Sequence, residues 1–592
     1  MTQPGGGIGR REFLGMAAGG VAAAALARYA LAGEAAGVAP QRPNIVLILT
    51  DDQGYGDLSC HGNTKLRTPN IDRLAAESVE LTQFRVSPVC APTRASLMTG
   101  RYHFRTGAID TYLGRAMMHP DEVTLAEMLR QAGYHTGLFG KWHLGDNYPM
   151  RPGDQGFDET LYHLGGGIGQ PSDLPGGSRY TDPVLMHNGR PEKRTGYCMD
   201  IYTQAAMKFI ESPPTGAWAG DAEPRSSSGL RQRPFFVYLA TNTPHMPLEI
   251  DEKYVAPYRA MGLPEATAKT YGMIANIDEN VGRLLAKLKE LNLEKDTIVI
   301  FMTDNGAADK ARFSAGLRDG KGTVYDGGIR VPCFIRWPGK LQPRKMDRLA
   351  AHIDVVPTLL AACNVPPPKD VKLDGLNLLP LLDGRAGDWP ARTLFYQWHR
   401  GDEPVLFRNA AAVSGRYKLV MRGEGARPKV ELYDVLADPG ETKDLAAGNP
   451  DVVAKLRAEY EAWFKDVTST RGFAPPRIQL GTRVEPATTL SRQDWRGPQA
   501  GWGPDSLGYW EVEVPQVVLV EVKLRFKPAE TPREAQFKLG KVALKKTVDK
   551  GADVCAFSNV TLEAGPGRLE AWLEAAGAKP VGVNYVDVRR VD

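Results

Sequence analysis

The sequence predicts an α/β domain with a largely parallel sheet, followed by a small β-sandwich. Three observations carry this. Apolar runs closed by turn residues recur between residues 44 and 337. Stretches with a 3.6-residue apolar period lie among them. Beyond about Arg471 the helical signal fades and apolar–polar alternation replaces it.

In chain order the expected strands are Asn44–Thr50, His135–Phe139, Pro234–Ala240, Thr297–Thr303 and Val331–Trp337. Each is a near-continuous apolar run, which suits a strand buried on both faces. Thr124 with Glu127 has the form of a capping box that opens a helix, and Gly133 marks its end. Helical periods follow over Asp278–Leu291, Ile353–Cys363 and Asp451–Val467. Ser212–Pro234 is rich in Pro, Gly and Ser and reads as a surface insertion. Later, Trp510, Val512 and Val514 alternate with polar residues, as do Val520, Val522, Leu524 and Phe526. Such strands, separated by Pro and Gly turns, suggest a sandwich over about 480–592.

Composition narrows the class. The 592 residues are 42% hydrophobic and 24% charged, which excludes a disordered chain, a coiled coil and a multi-span membrane protein. Gly (63) and Pro (44) are abundant without a Gly-X-Y period, so loops should be plentiful. A net charge of +4 leaves no basic footprint, and no nucleic-acid partner is expected. Cys60, Cys90, Cys198, Cys333, Cys363 and Cys555 are scattered, with no CxxC pair. That argues against a disulfide scaffold and a Cys-rich zinc site.

The N-terminus reads as an address. Gly9-Arg10-Arg11-Glu12-Phe13-Leu14 precedes an Ala/Gly-rich run, and Ala30-Leu31-Ala32 has the form of a cleavage site. Paired arginines before Phe-Leu resemble a bacterial twin-arginine signal. The run is short and broken by Arg28, so no stable membrane span is expected. Residues 1–32 are therefore expected to be a signal peptide, and the mature protein periplasmic or secreted.

The chemistry-bearing residues follow strand ends. Asp51-Asp52 follows Asn44–Thr50, and Asp304-Asn305 follows Thr297–Thr303. Ligands in open α/β sheets bind beyond the carboxyl ends of strands. Three carboxylates and an amide there would suit Ca2+ or Mg2+ better than zinc, although Asp and Asn also simply make turns. Lys141-Trp142-His143 and Pro244-His245 follow two more strands. A lysine and two histidines beside a cation would suit an anionic ester. Lys321, within Gly320-Lys321-Gly322-Thr323, is a further candidate fixed charge, in a turn too short for a phosphate-binding Walker loop. In Cys90-Ala91-Pro92-Thr93-Arg94, Pro92 suits the first turn of a helix. Cys90 would then sit at a helix N-terminus, facing an anion, or else be a buried structural thiol.

Taken in order, these segments resemble the formylglycine-dependent sulfatase family, in its arylsulfatase branch. Cys90, Pro92 and Arg94 match the core of its Cys-x-Pro-x-Arg signature, with Thr93 where Ser is commoner, and Leu97-Met98-Thr99-Gly100-Arg101 continues the match. Gly156-Phe157-Asp158, Asp374-Gly375 and Glu431-Leu432-Tyr433-Asp434 extend it across about 43–467. The resemblance implies an alkaline-phosphatase-like large mixed sheet flanked by helices and a smaller α+β C-terminal part. The expected division is a catalytic domain over 43–390, a subdomain over 391–470 and an added β-rich module over 480–592.

It further implies that a formylglycine-generating enzyme oxidises Cys90 to an aldehyde, which hydrates to a diol. Asp51, Asp52, Asp304, Asn305 and residue 90 would hold Ca2+, or Mg2+. Arg94 would fix the diol, and Lys141, His143, His245 and Lys321 would hold the sulfate. His245 or Lys321 would protonate the leaving oxygen, and His143 would take the proton of the second hydroxyl. The expected substrate is a sulfate monoester of a small molecule or polysaccharide.

Two other readings stand beside this one. A formylglycine-dependent phosphonate or phosphodiester hydrolase would use the same residues. Ten histidines, none closely spaced, disfavour a two-zinc phosphatase. An inactive carbohydrate-binding relative is suggested by Trp495, Trp502, Trp510 and Trp572, which could stack on sugars or fill a core. Gly165–Gly177 and Phe395–Glu403, with Trp398, His399 and Arg400, are the expected specificity segments.

Overall fold

Alternation along one strand sets the layers. In Asn44–Thr50, Ile45, Leu47 and Leu49 face one apolar cluster, and Val46 and Ile48 face another. A strand apolar on both sides must be covered on both. Helices Cys90–Thr99, Leu125–Gln131 and Val355–Ala362 cover the first face, and Cys198–Glu211 and Glu265–Glu290 cover the second. The architecture comes from a computed structural model that describes residues 42–212, 233–385, 389–425 and 427–591. The signal-peptide reading and nearly all of Ser212–Pro234 lie outside the described residues. Among those described, no helix is long and apolar enough to cross a membrane.

The main sheet has ten strands. Its order is Arg344–Met346, Val79–Leu81, Cys333–Arg336, Thr297–Thr303, Asn44–Thr50, Phe235–Ala240, His135–Lys141, Glu159–His163, Val184–His187 and Arg190–Lys193. The five strands from Thr297–Thr303 to Glu159–His163 are mutually parallel. Cys333–Arg336 and Val184–His187 run antiparallel to these, so the sheet is mixed. This is the alkaline-phosphatase-like α/β fold.

The structure adjusts several expected boundaries. The strand beginning at His135 runs on to Lys141, which is therefore its last residue. Val331–Trp337 contracts to Cys333–Arg336. The helix expected from Asp278 already begins at Glu265, because the apolar stripe continues through Ile274 and Ile277. Ile353–Cys363 opens as a 3-10 turn before its α-helix, Val355–Ala362. The Thr124 capping box is present, with Thr124 Oγ1 accepting from the Glu127 N–H at 3.2 Å.

A four-stranded antiparallel sheet, Thr393–Gln397, Ala410–Ser414, Tyr417–Arg422 and Lys429–Asp434, packs under helix Pro450–Thr468. Phe395–Gln397 thus closes a strand, and only Trp398 onward is irregular. After Thr468 the described residues hold no helix. Two sheets there enclose one core that includes Trp495, Trp510, Val522 and Leu569. Trp510 donates from Nε1 to the Ser491 carbonyl at 2.7 Å. Trp495 and Trp510 are therefore core residues, whereas Trp502 is 38% exposed.

Candidate active site

Register brings the strand ends together. Thr50 pairs with Thr303, Leu49 with Ala240, and Gly140 with Ala240. The residues that follow leave the sheet on one edge, beside each other. Asp51 and Asp52 come from one end, Asp304 and Asn305 from the next, Asn242 and His245 from the third, Lys141 and His143 from the fourth. Helix Cys90–Thr99 starts beneath them, after an extended Val89. Every residue of that helix is buried, so its N-terminus is fixed by packing on all sides.

Ligand atoms of Asp51, Cys90 and Asp304 lie within 4.8 Å of one another, as do those of Asp51, Asp52 and His245. Asn305 Nδ2 donates to Asp52 Oδ1 at 2.8 Å. Asp51 Oδ1 and Asn305 Oδ1 are buried without a protein partner. Orphaned oxygens among buried carboxylates are costly unless a cation meets them. All-oxygen donors of this kind fit one hard divalent ion, so the residues present suit such a metal. Burial, with the charge of Asp51 close by, pushes the Asp304 carboxyl up to about 6. A bound cation would oppose that shift.

Three cations face the acids. Lys141 Nζ donates to Asp51 Oδ2 at 2.7 Å, and Lys321 Nζ to Asp52 Oδ1 at 2.5 Å. Arg94, one helical turn after Cys90, donates through Nε and Nη2 to Asp304 Oδ2 at 3.1 and 2.8 Å. Its Nη1 donates to the Lys141 carbonyl at 3.0 Å. Burial opposes charge on Asp52, but Lys321 and His245 outweigh it and hold that carboxyl well below the usual range. The same pairing keeps the Lys321 ammonium protonated well above its ordinary range, against the effect of burial.

The two histidines are held differently. His143 Nε2 lies 2.8 Å from the Thr111 carbonyl, so that nitrogen carries the proton. Nδ1 is left as a buried, unpartnered lone pair. His245 Nδ1 lies 2.6 Å from the Met246 carbonyl, which commits its proton there. His245 Nε2 faces Asp52 Oδ2 at 3.9 Å. Burial pushes His143 well below its usual range and His245 to about 4, so both rings are neutral at pH 7. Asp52 and His143 also hold left-handed backbones, with φ of 64° and 62°. Such conformations cost about 1–3 kcal/mol each and collect at working sites.

Every residue expected at the site is thus brought to one edge of the sheet. Both expected specificity segments border it. A Cβ on Gly166 would sit 2.7 Å from His143 Cε1, and one on Gly167 3.2 Å from His245 Nδ1. Trp398 packs on Gly322, beside Lys321. Arg400 Nη1 and Trp398 Nε1 donate to Asp110 Oδ1 at 3.0 and 3.2 Å. Sequence reasoning missed Arg312, whose Nη2 donates to the Asp52 carbonyl at 2.8 Å while Nη1 pairs with Asp57 at 3.0 Å. It also missed Asp110 and Thr111. None lies in a periodic segment or a signature, and Thr111 contributes only a main-chain oxygen.

Comparison with known proteins identifies relatives. A family model described as Sulfatase matches residues 43–365, and one described as N-sulphoglucosamine sulphohydrolase, C-terminal, matches 316–466. Arylsulfatase A of Homo sapiens is 34% identical, over 76% of this chain and 92% of its own length. N-acetylgalactosamine-6-sulfatase of Homo sapiens is 32% identical, over 65% and 73%. The crystal structure of Ps i-CgsB with k-i-k-neocarrahexaose superposes with a TM-score of 0.64 at 28% identity, covering 73% of this chain and 95% of that one.

Proposed function

Because this chain belongs to the sulfatase family, and so is a sulfuric ester hydrolase, we propose that residue 90 is its nucleophile, as a formylglycine hydrate. One observation carries the reading. Position 90 opens a buried helix where carboxylates with orphaned oxygens meet two lysines, an arginine and two neutral histidines. Asp51, Asp52, Asp304, Asn305 and residue 90 would hold one Ca2+ or Mg2+, which when bound supplies a Lewis acid toward oxygen.

The chain's own residues do the rest. Lys141 and Lys321 hold the sulfate oxygens and balance charge as it develops. A diol oxygen attacks sulfur as its own proton passes to solvent, the bond from sulfur to the alcohol oxygen breaks, and the alcohol leaves with a proton from an acid that solvent then recharges. His245 has committed its proton to Met246, so Lys321 is the donor that remains. The second hydroxyl of the sulfated diol then gives its proton to His143 Nδ1. Sulfate departs with the carbon–oxygen bond, the aldehyde reforms, and water rehydrates it. Arg94 holds Asp304 and the Lys141 carbonyl in place, one turn from the diol.

The substrate is a sulfated carbohydrate in this reading. The Ps i-CgsB complex with a neocarrahexaose and the N-acetylgalactosamine-6-sulfatase relatives support it. Maturation requires a formylglycine-generating enzyme. Residues 1–32 direct twin-arginine export to the periplasm or beyond. Rates on an aryl sulfate and the matching aryl phosphate test the reaction. Sulfate should be strongly preferred, and preference for the phosphate would transfer the site to phosphodiester or phosphonate chemistry.

A further inference from the structure

The β-rich C-terminal part reaches the site through one turn, Ser491–Arg496, between strands Ala487–Ser491 and Arg496–Gln499. Trp495 anchors the turn in the sandwich core. The rest grips two loops of the catalytic part. Gly114 N–H donates to the Gln493 carbonyl at 2.9 Å, and Arg496 Nη1 donates to the Gly114 carbonyl at 3.2 Å. Gln493 Nε2 donates to the Thr111 carbonyl at 3.0 Å. That same oxygen accepts the Nε2–H of His143 at 2.8 Å. Gln493 Cδ also lies within 3.7 Å of where a Cβ on Gly165 would stand, next to the Gly166 that backs the His143 ring.

We propose that Gln493 is a positioning residue for His143, so that the C-terminal sandwich completes the catalytic site. A carbonyl oxygen has two lone pairs and takes both donors at once. The Gln493 amide fixes the Thr111 carbonyl, and the carbonyl fixes both the tautomer and the orientation of the imidazole. The consequence is at the far nitrogen. Nδ1 is presented as the lone pair that accepts the proton of the second diol hydroxyl. Groups that orient a metal-binding imidazole through its other nitrogen carry effects of about 10–100-fold, and the low end of that range is expected for an imidazole that moves a proton.

The inference rests on the proposed role of His143. Its test uses full-length, formylglycine-bearing protein and an aryl sulfate. Gln493→Glu keeps the shape and removes the donor, and Gln493→Met removes all polarity. Each should lower kcat about tenfold with KM little changed. In a His143→Ala background neither should lower kcat further, because the imidazole they position is gone. Thermal melting establishes that each variant is folded, and either folded variant is sufficient. Unchanged kcat, or an equal fall in both backgrounds, overturns the inference. A wild-type protein that carries formylglycine yet releases no sulfate would instead overturn the proposed reaction.

Discussion

Cys90 is 2% exposed, and burial pushes its thiol above the ordinary range despite Lys141 and Lys321 nearby. An unmodified thiol there stays protonated at neutral pH and is a weak nucleophile. Cys90→Ala should abolish sulfate release and leave the melting temperature nearly unchanged. Cys90→Ser should be sulfated at most once, since a lone hydroxyl has no second oxygen to expel sulfate. Intact-mass measurement after incubation with an aryl sulfate would show the stable ester. The leaving group tests Lys321 as the acid. Lys321→Ala should lower kcat about 10²–10³-fold on an alkyl sulfate and far less on nitrophenyl sulfate, whose leaving oxygen needs no proton. Equal losses on both would remove Lys321 as the acid. At this scale the sequence was most legible where a side chain ends or follows a strand, as with Lys141 at a strand's last position and Asp51 and Asp304 just beyond theirs. It was silent on Thr111, which acts through a carbonyl, and on Gln493, which meets that carbonyl across 382 residues of chain.

Elements were legible where pattern and ends agreed. Asn44–Thr50 and Thr297–Thr303 are long apolar runs closed by Asp, and their bounds match the strands. Helix Glu265–Glu290 was only half visible, because Thr270, Gly272 and Asn276 interrupt its first half yet are buried by packing. The Thr124 cap is a local device with a local cost. Its Oγ1 accepts from Glu127 and donates to the Gln155 carbonyl at 2.7 Å, tying the helix start to the loop before Glu159–His163. Thr124→Ala should destabilise the protein by about 1–2 kcal/mol, measured as a shift in denaturant midpoint, with kcat retained. Loss of activity without loss of stability would mean the helix does more than hold the sheet.

The whole molecule is joined by buried charge as well as by apolar contact. Arg85 Nη2 meets Asp326 Oδ2 at 2.6 Å, and Lys418 Nζ meets Asp326 Oδ1 at 2.7 Å and Glu441 Oε1 at 2.9 Å. All four side chains are fully buried or nearly so. Lys418 lies in the small antiparallel sheet, so this cluster fastens that sheet to the main domain. Asp326→Asn leaves two buried cations underpaired and should cost about 3–5 kcal/mol in chemical denaturation. A change under about 1 kcal/mol would show the cluster to be dispensable. None of this was legible in sequence, since the partners are scattered and no period marks them. The sandwich was legible from alternation, but its turn into the catalytic part was not. The proposed reaction depends on the chemical identity of residue 90. Mass spectrometry of the peptide Val86–Arg94, from active protein purified from its native host, tests it most directly. The predicted result is an aldehyde at position 90 that a hydrazide probe captures. A fully active protein with an intact Cys90 thiol would contradict the account.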